Sequence, residues 1–345
     1  MGLMWPVMRP LFFALDPERA HNLVISIFKT MGAVPPLAGL MSWMHRAPLR
    51  PVTLWGQTFA NPVGLAAGWD KDGLALRGLH TLGFGHVELG TVTPRPQPGN
   101  DKPRVFRLRE DRALINRMGF PSRGAEHLER RLALKRNAAL KVGVNLGRNK
   151  DTPNERAVDD YAELVSRFAG RCDYLVVNVS SPNTAGLRDL QHRDELSRLL
   201  TSLVRHRAGL AEDARRTPLL VKLSPDLSEG QLEEAVGAAL DAGLDGIIAT
   251  NTTLSRQGLG SPLREQAGGA SGALLSERAQ QVLERIVAHT DGRVPVIAAG
   301  GVMGPEDAKR RLEAGASLVQ VYTGLVYAGP GLVKSIVRGL GVAQR

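Results

Sequence analysis

A single cysteine, Cys172, in 345 residues excludes an intrachain disulfide and points to a reducing compartment. The eight histidines are scattered, none at the spacing of a zinc site, so no metal is expected. No uncharged run reaches the roughly 18 residues that a membrane-spanning helix needs. The longest candidate, near the N-terminus, is interrupted by Pro35 and Pro36. The apolar stretch Leu11 to Leu15 is too short for the core of a signal peptide and is followed at once by Asp16. The chain also lacks a GxGxxG turn after its first strand; Gly83, Gly85 and Glu88 miss that pattern at the last position.

What is present describes a globular protein. Apolar residues make up 43% and charged residues 23%, with 38 glycines, enough for one large barrel plus an appendage or for two mid-sized domains. The net charge of +10 would suit nucleic acid, an anionic membrane or a phosphorylated ligand. Arg130, Arg131, Arg215, Arg216, Arg310 and Arg311 are spread over predicted helices and form no aromatic-interleaved stripe. They read as solvated helix faces, and no nucleic-acid partner is expected.

Residues 1 to 45 differ in texture from the rest. Asp16 caps a helix that opens with Pro17. Ala20, Leu23, Val24, Ile27, Phe28 and Met31 then recur at steps of three and four, an apolar stripe with His21, Asn22, Ser26 and Lys29 off it. After a break at Gly32 to Pro36, Leu37, Leu40, Met41 and Met44 repeat the spacing. A hairpin of two amphipathic helices follows. Its stripe either packs on the main domain or, with Arg9, Arg19, Lys29 and Arg46 beside it, lies on a membrane surface.

Val52 to Asn61 reads as a β-hairpin turning at Gly56 and Gln57. From Pro62 a cycle begins, with strand candidates at 62–67, 85–89, 140–146, 173–179, 218–223, 245–250, 294–299 and 318–323. Helical stretches separate them, and LHTLGFG, ALDAGLDG and RLEAGAS each carry a glycine just before the next strand. Strand, helix, glycine, strand, repeated eight times, predicts an α/β fold of the (β/α)8 barrel type. A doubly wound sheet is the alternative.

A barrel draws its site from the C-terminal ends of its strands, and those ends are polar here. They carry Ala67, Gly68, Asp70 and Lys71; Gly90, Thr91 and Thr93; Asn145; Asn178, Ser181 and Asn183; Lys222; Thr250, Asn251 and Thr252; Gly300 and Gly301; Tyr322, Thr323 and Gly324. The glycines at the last two ends let an anion approach backbone N–H groups closely, which favours a phosphate-bearing ligand. Lys71 and Lys222 are costly to bury without an anionic partner. Asn116, Asn145, Asn178, Asn183 and Asn251 suit a ligand of alternating C=O and N–H groups, such as a pyrimidine. The long excursion Pro94 to Gly124 reads as a lid, with Asn116 to Phe120 closing over the substrate.

Over nearly its whole length the chain resembles the class 2, quinone-dependent dihydroorotate dehydrogenases. The resemblance rests on NPVGLAAGWDKDG (61–73), ELGTVTPRPQPGNDKPR (88–104), INRMGF (115–120), VGVNLGRNKDTP (142–153), NVSSPNTAGLR (178–188), VKLSPDL (221–227), TNTT (250–253) and VYTGLVYAGP (321–330). It implies a barrel over 46–345 that binds FMN and oxidises dihydroorotate to orotate in pyrimidine synthesis. It also implies an N-terminal helical extension over 1–45 that gives a membrane quinone access. Carried over by motif, FMN meets Ala67, Gly68, Trp69, Asp70, Lys71, Thr91, Asn145, Asn178, Lys222, Thr250, Gly272, Gly301, Tyr322 and Thr323. Substrate meets Lys71, Asn116, Arg117, Met118, Gly119, Phe120, Asn178, Asn183, Asn251 and Thr252, and Ser181 matches the catalytic base. The resemblance further implies a monomer, peripheral on the cytoplasmic side of the inner membrane.

Three other readings fit less well. A flavin barrel acting on uracil in RNA would use a loop cysteine, but Cys172 opens a strand at the wrong end of the barrel. A non-catalytic membrane-associated protein leaves Ser181 and both lysines unexplained. A soluble class 1 enzyme using fumarate or NAD would not need the N-terminal extension.

Overall fold

A computed structural model describes residues 4–134 and 139–341. Eight parallel strands close into a barrel: β3 (Val63–Leu65), β4 (His86–Val92), β7 (Lys141–Leu146), β8 (Tyr174–Asn178), β9 (Leu219–Leu223), β10 (Gly246–Ala249), β12 (Val296–Ala299) and β13 (Leu318–Val321), which pairs back with β3. Each lies inside one of the predicted runs or overlaps most of it. The crossover helices are amphipathic. Ala157–Phe168 buries Ala157, Tyr161, Leu164, Val165 and Phe168 on one face, the spacing that turns a helix toward a sheet. Gly83, Gly243 and Gly315 follow their helices at φ of 82°, 77° and 98°, where a side chain is strained.

The floor of the barrel is plugged by the hairpin β1 (Val52–Leu54) and β2 (Gln57–Phe59), whose Phe59 joins Tyr174, Val176, Leu220, Ile248 and Ile297 in the interior. Its two-residue turn is Trp55–Gly56, both with positive φ (52° and 70°), one residue earlier than the sequence suggested. That geometry matches the twist of a two-residue hairpin, and the glycine supplies its second left-handed position. Trp55 is anchored by its indole N–H to the Asp245 carbonyl at 2.8 Å.

The excursion after β4 is more ordered than a simple lid. β5 (Val105–Leu108) and β6 (Ala113–Asn116) form an antiparallel pair that β11 (Gly269–Gly272) extends to three strands. This small sheet places Asn116 and Gly272 at opposite ends of one ladder.

The N-terminal extension has three helices, not two: α1 (Met4–Ala14), α2 (Pro17–Ala33) and α3 (Pro35–His45). Asp16 caps α2 as expected, accepting from the Glu18 and Arg19 N–H groups. α2 and α3 are bent by 108° across Val34, and no single helix among the described residues is long and apolar enough to cross a membrane. The apolar stripe divides. Phe28 and Met41 are buried in the barrel's main core, joined by Ile25 from off the predicted stripe, worth about 1.5–3 kcal/mol for each fully buried side chain. Leu23, Leu37 and Leu40 stay exposed. Glycines on both sides allow the close crossing: a Cβ on Gly78 would enter the Phe28 backbone, and one on Gly32 would enter that of Gly78.

Candidate active site

One cavity of about 430 Å³ runs from the strand ends of the barrel out between the N-terminal helices. Its inner wall takes Gly68, Lys71, Thr91, Asn178, Ser181, Lys222, Thr250, Gly272, Gly301 and Thr323 from seven barrel strand ends and β11. Its outer wall is Val24, Ile27, Phe28, Met31 and Met41. Between them stand Asn116, Met118, Gly119, Phe120, Asn183, Asn251 and Thr252. Ala67, Trp69 and Tyr322 complete the set of predicted residues that line it.

Three predicted contacts do not reach the cavity. Asp70 is buried and accepts from the Leu74 and Ala75 N–H groups at 2.8 Å each, so it holds the turn that leads into the helix Leu76–His80 instead. The Arg117 side chain turns outward to Gln266, Ala267 and the Pro103 carbonyl, over the Phe106 ring. Asn145 lies one layer below the wall. Its Oδ1 accepts from Thr91 Oγ1 (2.5 Å) and Asn178 Nδ2 (2.9 Å), and its Nδ2 donates to Glu88 (2.7 Å). It holds two residues that do line the cavity, Thr91 and Asn178.

Glu88 was not singled out by sequence, because a glutamate in the middle of a strand reads as a solvent-facing residue. It is fully buried inside the barrel. Its two oxygens accept from Asn145 Nδ2 and Gln320 Nε2 at 2.7 Å each, and Lys222 Nζ lies 3.9 Å away. Both oxygens acting as acceptors fits a carboxylate, which gives the buried Lys222 its counter-charge.

Ser181 is buried at the rim, and its Oγ accepts from the Asn183 N–H at 3.2 Å. Asn183 Nδ2 donates to Asn116 Oδ1 at 3.2 Å, which ties the β8 end to the end of β6. Asn251 donates to Ser180 Oγ at 2.9 Å. Arg188 clamps this rim from behind, donating to the Ser180 and Thr252 carbonyls and pairing with Asp226 at 2.8 Å. Thr184 Oγ1 is buried and has no partner among the described residues. Lys71 faces the cavity with its Nζ donating to the Gly68 carbonyl at 2.6 Å. Burial lowers its ammonium to about 8, against the opposing pull of Asp72 and Glu18.

Two cavity residues beyond the predicted set are His21 and Arg107. His21, placed off the stripe by sequence, stands edge-on to Trp69 with ring centroids 5.4 Å apart. Burial, then the charge of Lys71, lowers it to about 3, so the ring is neutral. Arg107 lies over the Phe13 ring at 4.2 Å, and burial lowers its guanidinium from the usual value. Helical spacing alone could not show that α2 turns His21 inward.

The glycine-bearing ends fit an anion with a flat body. Gly272, Gly300 and Gly301 have φ of 110°, 101° and 70°. A Cβ on Gly301 would enter the Ser276 backbone, and one on Gly272 the Arg112 carbonyl. Glycine at both positions lets these segments pack that closely along the cavity wall. The Thr323 hydroxyl stands beside it, bonded to Ser271 Oγ at 2.8 Å.

The family model described as dihydroorotate dehydrogenase matches residues 50–343. A relative from Anaeromyxobacter dehalogenans, named dihydroorotate dehydrogenase (quinone), is 52% identical over 98% of this chain and 92% of its own length. One of the same name from Halorhodospira halophila is 50% identical over 97% of both. Two crystal structures of DHODH from Eimeria tenella, ligand-free and with ferulenol, superpose with TM-scores of 0.86. They are 41% and 37% identical, covering 94% and 96% of this chain and 94% and 93% of theirs. With the closed barrel and its helical extension, these likenesses show that the chain belongs to the dihydroorotate dehydrogenase family.

Proposed function

We propose that this protein oxidises dihydroorotate to orotate with a bound FMN, and that a membrane quinone is the final electron acceptor. The observation that carries this reading is the cavity's two-ended lining, amides, hydroxyls and lysines inside and apolar side chains of α2 and α3 outside. A polar substrate and an apolar acceptor can use one cofactor from opposite ends.

FMN would lie with its phosphate at Gly301 and Thr323 and its ring system toward Lys222, Asn178 and Thr91. When bound, it supplies the two-electron chemistry that no side chain here possesses. Lys222 holds positive charge where negative charge develops, and Glu88 keeps that cation in place. The amides of Asn116, Asn178, Asn183 and Asn251 orient the pyrimidine ring, and Lys71 meets its carboxylate. Ser181 Oγ takes the proton from the substrate's ring carbon. The Asn183 N–H, already directed at Oγ, stabilises the oxygen as it loses its own proton, and Thr184 Oγ1 offers the next acceptor. Met118 to Phe120 close the site to water.

Residues 1–45 form the quinone extension and 46–345 the catalytic barrel. Val7, Leu11 and Trp43 are 74%, 72% and 77% exposed near Arg9, Arg19, Lys29 and Arg46, a composition that supports docking of α1–α3 on an anionic membrane surface. We take the protein to be a monomer, peripheral on the cytoplasmic side of the inner membrane. Denaturing the pure protein and identifying what it releases tests the cofactor assignment. About one FMN per chain is expected; a colourless supernatant, or FAD in it, contradicts the proposal.

A further inference from the structure

Arg311 departs from the expectation of a solvated helix face. On the helix Pro305–Glu313 it is 1% exposed, among the largest fully buried side chains in the protein. Its neighbour Arg310 reaches Glu277 at 3.0 Å, but no ion pair holds Arg311 among the described residues. Nη1 donates to Gln280 Oε1, Nη2 donates to the carbonyls of Ser276 (2.6 Å) and Gly300 (3.1 Å), and Nε has no partner. The nearby carboxylates are otherwise engaged. Asp307 accepts from Ser276 Oγ and the Met303 N–H, and Glu284 accepts from Gln280. Burial lowers the guanidinium to about 10, the sign of a cation short of compensation. Such a cation is costly to bury unless an anion is near.

The bond to Gly300 has a geometric consequence. A trans peptide points its C=O and N–H in opposite directions, so holding the Gly300 oxygen fixes where the Gly301 N–H aims. Arg311 lies behind the wall and both glycines line the cavity. The Gly301 N–H has no acceptor among the described residues. The same guanidinium ties Ser276, whose backbone would collide with any Cβ on Gly301, to the same loop.

We propose that Arg311 is the positioning residue of the cofactor's phosphate cradle: it turns the Gly301 N–H toward the cavity and supplies the buried positive charge that a phosphate there would balance. The inference rests on the reading of this cavity as an FMN site.

The test compares FMN with riboflavin, which has the same ring system and no phosphate. Full-length wild-type, Arg311→Gln and Arg311→Lys proteins are purified, their flavin content is counted, and the emptied proteins are titrated with each flavin by fluorescence. Arg311→Gln should bind FMN roughly 10- to 100-fold more weakly, the size expected when a charged hydrogen-bond donor is lost. Its riboflavin affinity should change less than about twofold, and Arg311→Lys should recover part of the FMN affinity because the charge survives. Equal losses for both flavins, or none for either, would overturn the role of Arg311. If Arg311→Gln does not fold, Arg311→Lys decides alone: a selective loss of FMN affinity supports the role, and an unselective one removes it. A wild-type protein that binds neither flavin would instead overturn the FMN reading itself.

Discussion

Replacing Glu88 by glutamine removes one charge from the barrel interior at nearly constant volume, so its effect isolates the electrostatics beneath the site. The carboxylate accepts from two amide donors, Asn145 Nδ2 and Gln320 Nε2, and faces Lys222 at 3.9 Å. A glutamine has one acceptor oxygen, so one of the two donors must face another NH2 group, at about 1–3 kcal/mol. Lys222 also loses its counter-charge in a place where both partners are buried. Breaking a buried pair costs about 3–5 kcal/mol, and the long 3.9 Å separation argues for the lower end. We expect a total loss of about 4–6 kcal/mol, a large part of the 5–15 kcal/mol of a typical domain. Urea unfolding reads it directly, as a lower midpoint at unchanged slope. Combining Glu88→Gln with Gln320→Glu returns a carboxylate to the same pocket and lets the new amide donate to it, so at least half of the loss should be recovered. A single variant that loses less than about 1 kcal/mol, or a double variant no better than the single, would refute the argument.

Ser181→Ala should keep FMN bound and slow flavin reduction by dihydroorotate by about a hundredfold to ten-thousandfold in stopped flow, as expected when a general base is lost; wild-type rates would remove Ser181 from that role. Lys71, lowered by burial to about 8, carries its charge below that pH and loses it above. Orotate should therefore bind more weakly as pH rises through about 8, and Lys71→Met should bind weakly at every pH with that step absent from its titration. Gly78→Val pushes a side chain into the Phe28 backbone and should lift α2 from the barrel. Turnover with a long-chain quinone should then fall much further than turnover with a small water-soluble dye, and an equal fall in both would assign α2 a purely structural role.

The eight barrel strands were legible because each is a short buried run between an amphipathic helix and a polar end, with glycines at fixed places. Their polar C-terminal ends also pointed to most of the cavity lining, because catalytic groups of a barrel come from those ends. α1 did not figure in the predicted hairpin, which began at the Asp16 cap; the helix carries Pro10 inside it, a residue that helix interiors ordinarily exclude. β11 was missed because it joins β6 from about 150 residues away, and no local period reports such a pairing; β5 and β6, a local hairpin, lay hidden inside the excursion read as a lid. Of the predicted contacts that turned away, Asp70 is held by the nearby Leu74 and Ala75 N–H groups, whereas Arg117 finds its partners on distant segments. Glu88, His21, Arg107 and Arg311 failed to register for the same reason. Residue type alone puts a charged side chain in solvent, and only the packed neighbours show that it is inside.

The central claim, that one flavin serves a polar substrate from one side and a quinone from the other, is tested most directly by following the flavin absorbance of the pure protein without oxygen. Adding dihydroorotate alone should bleach the bound FMN, and adding a long-chain quinone afterwards should restore the colour while orotate accumulates. Colour that persists with dihydroorotate, or bleached flavin that quinone cannot reoxidise, would contradict the account.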